Sequence, residues 1–339
     1  MSGGGYFGAV KQQDRADDPA PIEAAVELLR GSVDDVMRGI TLIDAAADQG
    51  DAEALQRKAV FEAMGCARPQ DWKRALDCLA GAAQAGSESA QRQLEILARG
   101  AATSAGQQPD WAAIASQVSS ETLAEAPAKI PLSESPRLRV TEGFASPAEC
   151  GWIIDRARDR LRRATVVDRS GSMTVEAART NSGVEFLLAD MDLVIEAIRL
   201  RISAATRLPL PLFEPAQVLH YAPGQEFQPH HDFFDPELPG HAEQIRQYGQ
   251  RIGTFLLYLN QGYEGGETAF PRAQISYRGN TGDALFMANV DRSGRPDPSS
   301  LHWGTSPTSG EKWILSQWIR DKAPTGPTVG SKLKQPSRP

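Results

Sequence analysis

Two stretches of this chain repeat one pattern. Asp35 to Gly50 reads DVMRGITLIDAAADQG and Asp71 to Gly86 reads DWKRALDCLAGAAQAG, an offset of 36 residues. The offset superposes Arg38 on Arg74, Ile40 on Leu76, Ile43 on Leu79, Ala46-Ala47 on Ala82-Ala83 and Gly50 on Gly86. It continues into Ala54 and Ala90, each heading a further helical run. A period in the mid-thirties, with small residues where helices cross, predicts stacked helical hairpins. Each glycine suits the left-handed residue that ends a helix. Residues 21–100 are therefore expected to be all-helical, behind a flexible segment at 1–20.

The segment resembles the SEL-like branch of the tetratricopeptide repeats, which implies a protein partner bound through the helices. Two repeats are fewer than the ~3 a free array usually needs. A capping or dimerisation role is therefore an equal alternative. Residues 101–136 are rich in Ala, Ser, Gln and Pro and read as a linker, with one short helix around Trp111 to Leu123. At the other end, 323–339 holds scattered Lys and Arg among prolines and reads as a disordered tail.

Between linker and tail the pattern changes from helices to short strands. Ser146-Pro147-Ala148-Glu149 is a capping box with proline at the first helical position, opening a helix expected to reach Arg163; a second covers Met191 to Ala205. Period-two runs follow at Gln217–Tyr221, Phe227–Phe233, Arg251–Leu259, Asp283–Ala288 and Lys312–Arg320. The expected class is α+β: residues 137–322 as a double-stranded β-helix (jelly roll) flanked by helices, preceded by the α-helical repeat domain. A net charge of -7 and a pI near 5.4 argue against a nucleic-acid or anionic-membrane surface. No apolar run approaches a membrane span. The start of the chain lacks a signal-peptide pattern, and Cys66, Cys78 and Cys150 lack metal-type spacing. Together these features predict a reduced, cytoplasmic setting.

Chemistry concentrates after Tyr221. His230-His231-Asp232 is an H-x-D. In a strand, residues two apart share a face, so His230 and Asp232 can converge on one ion while His231 points away. His302 is the obvious third ligand. Two imidazoles and a carboxylate on one face of an ion leave open positions, which suits Fe(II). Lys312 follows ten residues after His302. A buried cation there needs an anion, and a dicarboxylate such as 2-oxoglutarate would chelate iron at one end and reach this ammonium with the other. Period two places Lys312, Ile314, Ser316 and Trp318 inside the barrel, with Trp313, Leu315 and Ile319 packed outward. Gly265-Gly266 reads as turn geometry. His220 reads as a packed side chain and His241 as a solvated one.

Five blocks, ARTNSGVEFL, LHYAPGQEFQPHHD, RIGTFLLYLNQGYEGGETAFP, GDALFMANV and LHWGTSPTSGEKWILSQWIR, resemble the catalytic domain of the prolyl 4-hydroxylase family in order and spacing over roughly residues 137–322. The resemblance implies His230, Asp232 and His302 as iron ligands and Lys312 as the 2-oxoglutarate anchor. It also implies Tyr221, Tyr258 and Trp318 as co-substrate pocket residues and Arg251 as a substrate-site residue. Its chemistry would be hydroxylation of an unactivated C–H in a prolyl, peptide or amino-acid substrate. Succinate and carbon dioxide would be released, with ascorbate as a reductant. Two departures bear on substrate: Gly304-Thr305-Ser306-Pro307 lacks the family's frequent Gly-Cys-Pro, and the stretch between Asp232 and Arg251 is long and polar. That stretch is expected to be a substrate lid. A small-molecule oxygenase of the same chemistry, or an inactive barrel serving as a binding module, is the alternative. Because no expected ligand precedes Tyr221, a chain starting near residue 130 should keep uncoupled 2-oxoglutarate turnover.

Overall fold

The computed structural model describes residues 21–99, 109–164 and 178–323, with the short strands Val166–Val167 and Met173–Thr174 between the last two stretches. The expected flexible start, most of the tail and the first part of the linker lie outside the described residues.

Five helices open the fold: α1 Pro21–Leu28, α2 Val33–Asp48, α3 Ala52–Met64, α4 Trp72–Gln84 and α5 Glu88–Leu97. The caps repeat with the sequence. Asp51 accepts from the Ala54 amide and Ser87 from the Ala90 amide, each stabilising its helix by about 1 kcal/mol. Gly50 and Gly86 both have positive φ, +86° and +95°, where a β-carbon would be strained. Ile40, Ile43, Ala47, Leu76, Leu79 and Ala83 are all buried.

The expected linker helix is two, α6 Trp111–Ser116 and α7 Ser120–Ala124, because Ser119 caps a fresh start by accepting from the Thr122 amide. Trp111, Ile114 and Leu123 are buried, so this stretch packs as part of the fold. The sheet begins at Ile130–Glu134, which pairs with Arg137–Thr141 and moves the start of the β-region ahead of residue 137. α8 spans Pro147–Arg158 and stops short of Arg163, because Arg162–Arg163 is taken up as an edge strand against Ser182–Phe186. α9 spans Leu193–Thr206.

Two sheets face each other. The major one has eight strands, ordered 130–134, 137–141, 284–288, 251–258, 312–320, 216–221, 182–186, 162–163. The minor one has four, ordered 275–277, 268–270, 302–304, 227–230. Leu219, Tyr221, Leu256, Tyr258, Phe270 and Ile314 fill the space between them. Trp313, Leu315 and Ile319 pack on the opposite face of the major sheet, with α8 and α9. The alternation expected along 312–320 therefore holds, and the arrangement is a jelly roll flanked by helices.

The helical array is not a separate body. Its apolar residues join α9 and the outer face of the sheet in one continuous core. Arg30 makes two bonds to Asp190, at 3.0 and 2.6 Å; Arg57 donates to the Ala189 carbonyl, and Gln93 accepts the first backbone amide of α9. Arg201 of α9 donates to the Leu123 and Phe144 carbonyls and pairs with Glu149. A chain starting near residue 130 would leave α9 without one of its two packing faces. Among the described residues, no helix is long and apolar enough to cross a membrane.

Candidate active site

His230 and His302 stand directly opposite each other on adjacent antiparallel strands. Their rings are 4.2 Å apart between centroids. The strand that carries His230 ends there, at Phe227–His230, shorter than the run to Phe233 that alternation predicts. Asp232 still turns back into the same space: its carboxylate lies 3.7 Å from His230 Nε2 and 3.6 Å from His302 Nε2. Ligand atoms of all three residues fall within 4.8 Å of one another, close enough to hold one ion.

The surroundings commit these side chains to that task. His230 Nδ1 is 2.8 Å from the Gln228 carbonyl and His302 Nδ1 is 3.0 Å from the Ser300 carbonyl. A carbonyl only accepts, so both Nδ1 atoms carry the proton and both Nε2 lone pairs are free for a metal. Burial, with His302 alongside, holds the His230 imidazole well below the ordinary histidine range and therefore neutral. Burial pushes the Asp232 carboxyl up, but His302, His230 and Arg251 overcome it and hold it down at about 2. Two imidazoles with free Nε2 atoms and one ionised carboxylate are a donor set that suits Fe(II).

Lys312 pairs across the sheet with Tyr221 and faces the same cavity. Its ammonium sits over the rings of Tyr221, at 5.1 Å, and Tyr258, at 5.8 Å. Burial drives its pKa down to about 7 against the pull of Glu267. Among the described residues no carboxylate stands within ion-pair distance of it, so an anionic ligand would supply the missing partner. Gly304 and Gly266 give this end of the cavity its room. A β-carbon on Gly304 would lie 3.2 Å from the Tyr221 hydroxyl, and one on Gly266 would meet Tyr263 and Lys312. The positive φ of Gly265 and Gly266 is the turn geometry expected there.

The family model of the 2OG-Fe(II) oxygenase superfamily matches residues 216–320, the stretch that supplies all of these ligands. Prolyl 4-hydroxylase 1 of Arabidopsis thaliana is 37% identical over 207 residues, covering 57% of this chain and 71% of that protein. This chain belongs to the prolyl 4-hydroxylase family. Probable prolyl 4-hydroxylase 10 of the same plant is 36% identical over 209 residues, covering 56% of the chain and 70% of that protein. The crystal structure of a viral collagen prolyl hydroxylase from Paramecium Bursaria Chlorella virus-1, as its 2OG complex, aligns at 27% identity. It covers 54% of this chain and 95% of that one, with a TM-score of 0.42. As a member of the family the chain is a 2-oxoglutarate-dependent dioxygenase that uses Fe(II).

Set beside this prolyl 4-hydroxylase-type centre, the residues expected at the site divide. Tyr221, Lys312 and Trp318 line the cavity with the triad. Tyr258 stands just behind the lining, bonded to Thr268 of the cavity wall. It is fully buried behind Lys312, its hydroxyl 2.8 Å from Thr268 Oγ1. Arg251 is engaged by Glu214, which takes both its Nε, at 2.6 Å, and a terminal nitrogen, at 2.7 Å. Its guanidinium lies against Trp318, 3.8 Å from the ring centroid. His231 points away, as alternation requires, toward the Pro298 carbonyl. His220 packs on Trp313. His241 is not simply solvated: its ring accepts the Asp235 amide and stands edge-on to Phe234.

The lid also needs correcting. The stretch between Asp232 and Arg251 contains α10, Pro239–Tyr248, and none of its residues lines the cavity. Its base is fastened by reciprocal bonds between Gln250 and Phe234 and by Arg320 donating to the Gly249 carbonyl.

Sequence reasoning missed two residues at the site. Arg179 is buried at the cavity edge, stacked 4.6 Å over Phe227, which in turn stacks on His230. Thr254 donates to Asp232 at 2.7 Å. Arg179 sat inside a matching block without a spacing that singled it out. Thr254 could have been found from its phase, since it alternates with Leu256 and Tyr258 on the inward face.

Proposed function

We propose that this dioxygenase hydroxylates prolyl residues within peptides. The observation that carries the reading is the make-up of the cavity. Tyr221, Phe227 and Trp318 give it aromatic walls with Leu219, Leu256 and Ile314, and its sole carboxylate among the described lining residues is Asp232. An apolar, uncharged pyrrolidine ring suits such walls. A free amino acid would bring an ammonium with no carboxylate to meet it, since Asp232 belongs to the metal. The names of the Arabidopsis relatives agree with a prolyl substrate.

His230, Asp232 and His302 would hold the iron, and Lys312 the far carboxylate of 2-oxoglutarate. Iron and 2-oxoglutarate together supply the oxidant, consuming dioxygen and releasing succinate and carbon dioxide. The protein's own share is to fix both groups, present one C–H edge of the substrate and keep water out with the aromatic walls.

The test is to give the full-length protein Fe(II), 2-oxoglutarate and either proline-containing peptides or free L-proline. Peptides should gain one oxygen atom in step with succinate release, and His230→Ala, Asp232→Ala or His302→Ala should each abolish that gain. A preference for free proline, or succinate release that no proline peptide stimulates, would sink the peptide reading.

We infer further that the helical array serves the oxygenase as a buttress. Support comes from the shared core and from Arg30, Arg57 and Gln93, which reach across to the turn that opens α9. An external partner for the helices would be additional to this role.

A further inference from the structure

We propose that Thr254 and Asn289 form a relay that fixes Asp232 as a one-oxygen ligand, keeping a coordination position open for co-substrate or dioxygen. The inference deepens the iron-site reading and rests on it. Thr254 is 1% exposed and Asn289 0%, so neither side chain can turn to water for a partner. The Thr254 hydroxyl lies 2.7 Å from Asp232 Oδ2. An ionised carboxylate only accepts, so this contact uses the single hydroxyl proton. The Asn289 amide nitrogen lies 3.0 Å from the same hydroxyl oxygen and donates into its lone pair. With that lone pair occupied, the threonine proton has Asp232 as its remaining destination.

The direction of the relay matters because the reverse is sterically available. A flipped Asn289 amide would offer its oxygen to the threonine proton and deprive Asp232 of a donor. The backbone of Asn289 is pinned on both sides, its N–H on the Ile252 carbonyl and its carbonyl on the Asp297 amide, each at 3.0 Å. Its side-chain oxygen is buried with no hydrogen-bond partner among the described residues. Such an orphan is unfavourable. Its presence fits a site where the orientation of the amide nitrogen takes precedence over the comfort of the oxygen.

The consequence is a matter of coordination. Two imidazoles and one carboxylate oxygen would leave the ion open positions for the oxo acid and dioxygen. If Asp232 swung to bind through both oxygens it would occupy one of them. Holding Oδ2 in a charge-assisted bond opposes that swing, so Thr254 and Asn289 act as positioning residues through Asp232.

The experiment uses the full-length protein loaded with Co(II), a redox-inert stand-in for Fe(II). It reads 2-oxoglutarate affinity by calorimetry and coordination by the visible Co(II) spectrum. Thr254→Val keeps the shape and removes the donor, Thr254→Ser restores a hydroxyl, and Asn289→Asp keeps the shape but presents only acceptors to Thr254. Thr254→Val and Asn289→Asp should each weaken 2-oxoglutarate binding about tenfold and alter the Co(II) bands, the size of effect typical of groups that orient a metal ligand. Thr254→Ser should stay within about twofold of wild type on the same scale. Near-UV circular dichroism monitors folding, and if Thr254→Val fails to fold, Asn289→Asp against Thr254→Ser decides. Wild-type affinity and spectra in the folded variants would overturn the relay. So would equal damage from Thr254→Ser and Thr254→Val, which would mark a packing role. A wild-type protein that took up no Co(II) would bring down the triad reading itself, and the relay with it.

Discussion

The Arg251 guanidinium lies 3.8 Å from the centroid of the Trp318 ring and is held there by an acid through two bonds. That acid, Glu214, also receives the Nε of Arg320 at 2.6 Å, so one half-buried carboxylate anchors the half-buried Arg251 and the buried Arg320. Trp318, on the cavity wall, has its ring against this cluster. Glu214→Gln leaves two cations with a neutral partner, and losing a charge-assisted bond costs about 1.5–3 kcal/mol. The urea midpoint should fall accordingly. In whatever fraction stays folded at low denaturant, the Michaelis constant for peptide should rise while that for 2-oxoglutarate holds. An unchanged midpoint would show that the arginines find other partners.

Lys312 gives the site a pH dependence whose sign can be worked out. Its pKa is pushed down to about 7 in the ligand-free protein. The far carboxylate of 2-oxoglutarate needs the ammonium form, so affinity should be greatest below that pKa. Above about pH 8 it should weaken by roughly tenfold per pH unit, because each unit lowers the charged fraction tenfold. Calorimetry on Co(II)-loaded protein from acid to alkaline pH should also show proton uptake on binding. Lys312→Arg, which keeps its charge throughout, should flatten the profile if it binds at all. A pH-independent affinity in the wild type would remove Lys312 from the role of anchor.

Gly304 offers a steric test of the same end of the cavity. A β-carbon there sits 3.2 Å from the Tyr221 hydroxyl and must displace it. Gly304→Ala should weaken 2-oxoglutarate binding severalfold and destabilise the fold by about 1–3 kcal/mol, the usual effect of overpacking. Adding Tyr221→Phe, which removes the crowded oxygen, should recover part of both losses. No recovery in the double variant would place the damage elsewhere.

Removal of the helical array should harm the oxygenase although it contributes no ligand. A chain starting at residue 130 uncovers apolar residues of α9 and leaves Asp190 without Arg30. Each large apolar side chain returned to water costs about 1.5–3 kcal/mol. The expected product is aggregated or molten, judged by dye binding to exposed apolar surface and by loss of near-UV dichroism. A monomeric, cooperatively folding truncation would refute the buttress.

The chemistry of the centre was legible: the H-x-D spacing brings His230 and Asp232 together, the family blocks supply His302, charge balance points to an anion at Lys312, and the sheet registers set His302 opposite His230 and Lys312 opposite Tyr221. The hold of Glu214 on Arg251 is not legible, because Glu214 is remote in sequence and carries no local mark. The cap at Ser119 was overlooked, so two short helices were read as one. The stretch between Asp232 and Arg251 was read as a lid from its prolines, glycines and polar residues. Its helix and the Gln250–Phe234 latch are tertiary features that composition does not encode. The least legible feature was the contact between array and barrel, since an amphipathic helix shows that it has an apolar face without showing what will cover it.

That contact has a bearing on biosynthesis. The helices ending at Leu97 leave the ribosome well before α9, which begins at Leu193. Until α9 arrives, the surface of the array that will receive it is exposed to the cell, and Gln93 waits for a backbone amide still to be made. Domains tend to fold in order of emergence, and exposed apolar surface on an unfinished chain is a hazard. For this protein the vulnerable interval runs from the last array helix to the completion of α9, so synonymous changes that slow translation there should lower soluble yield without altering a single residue.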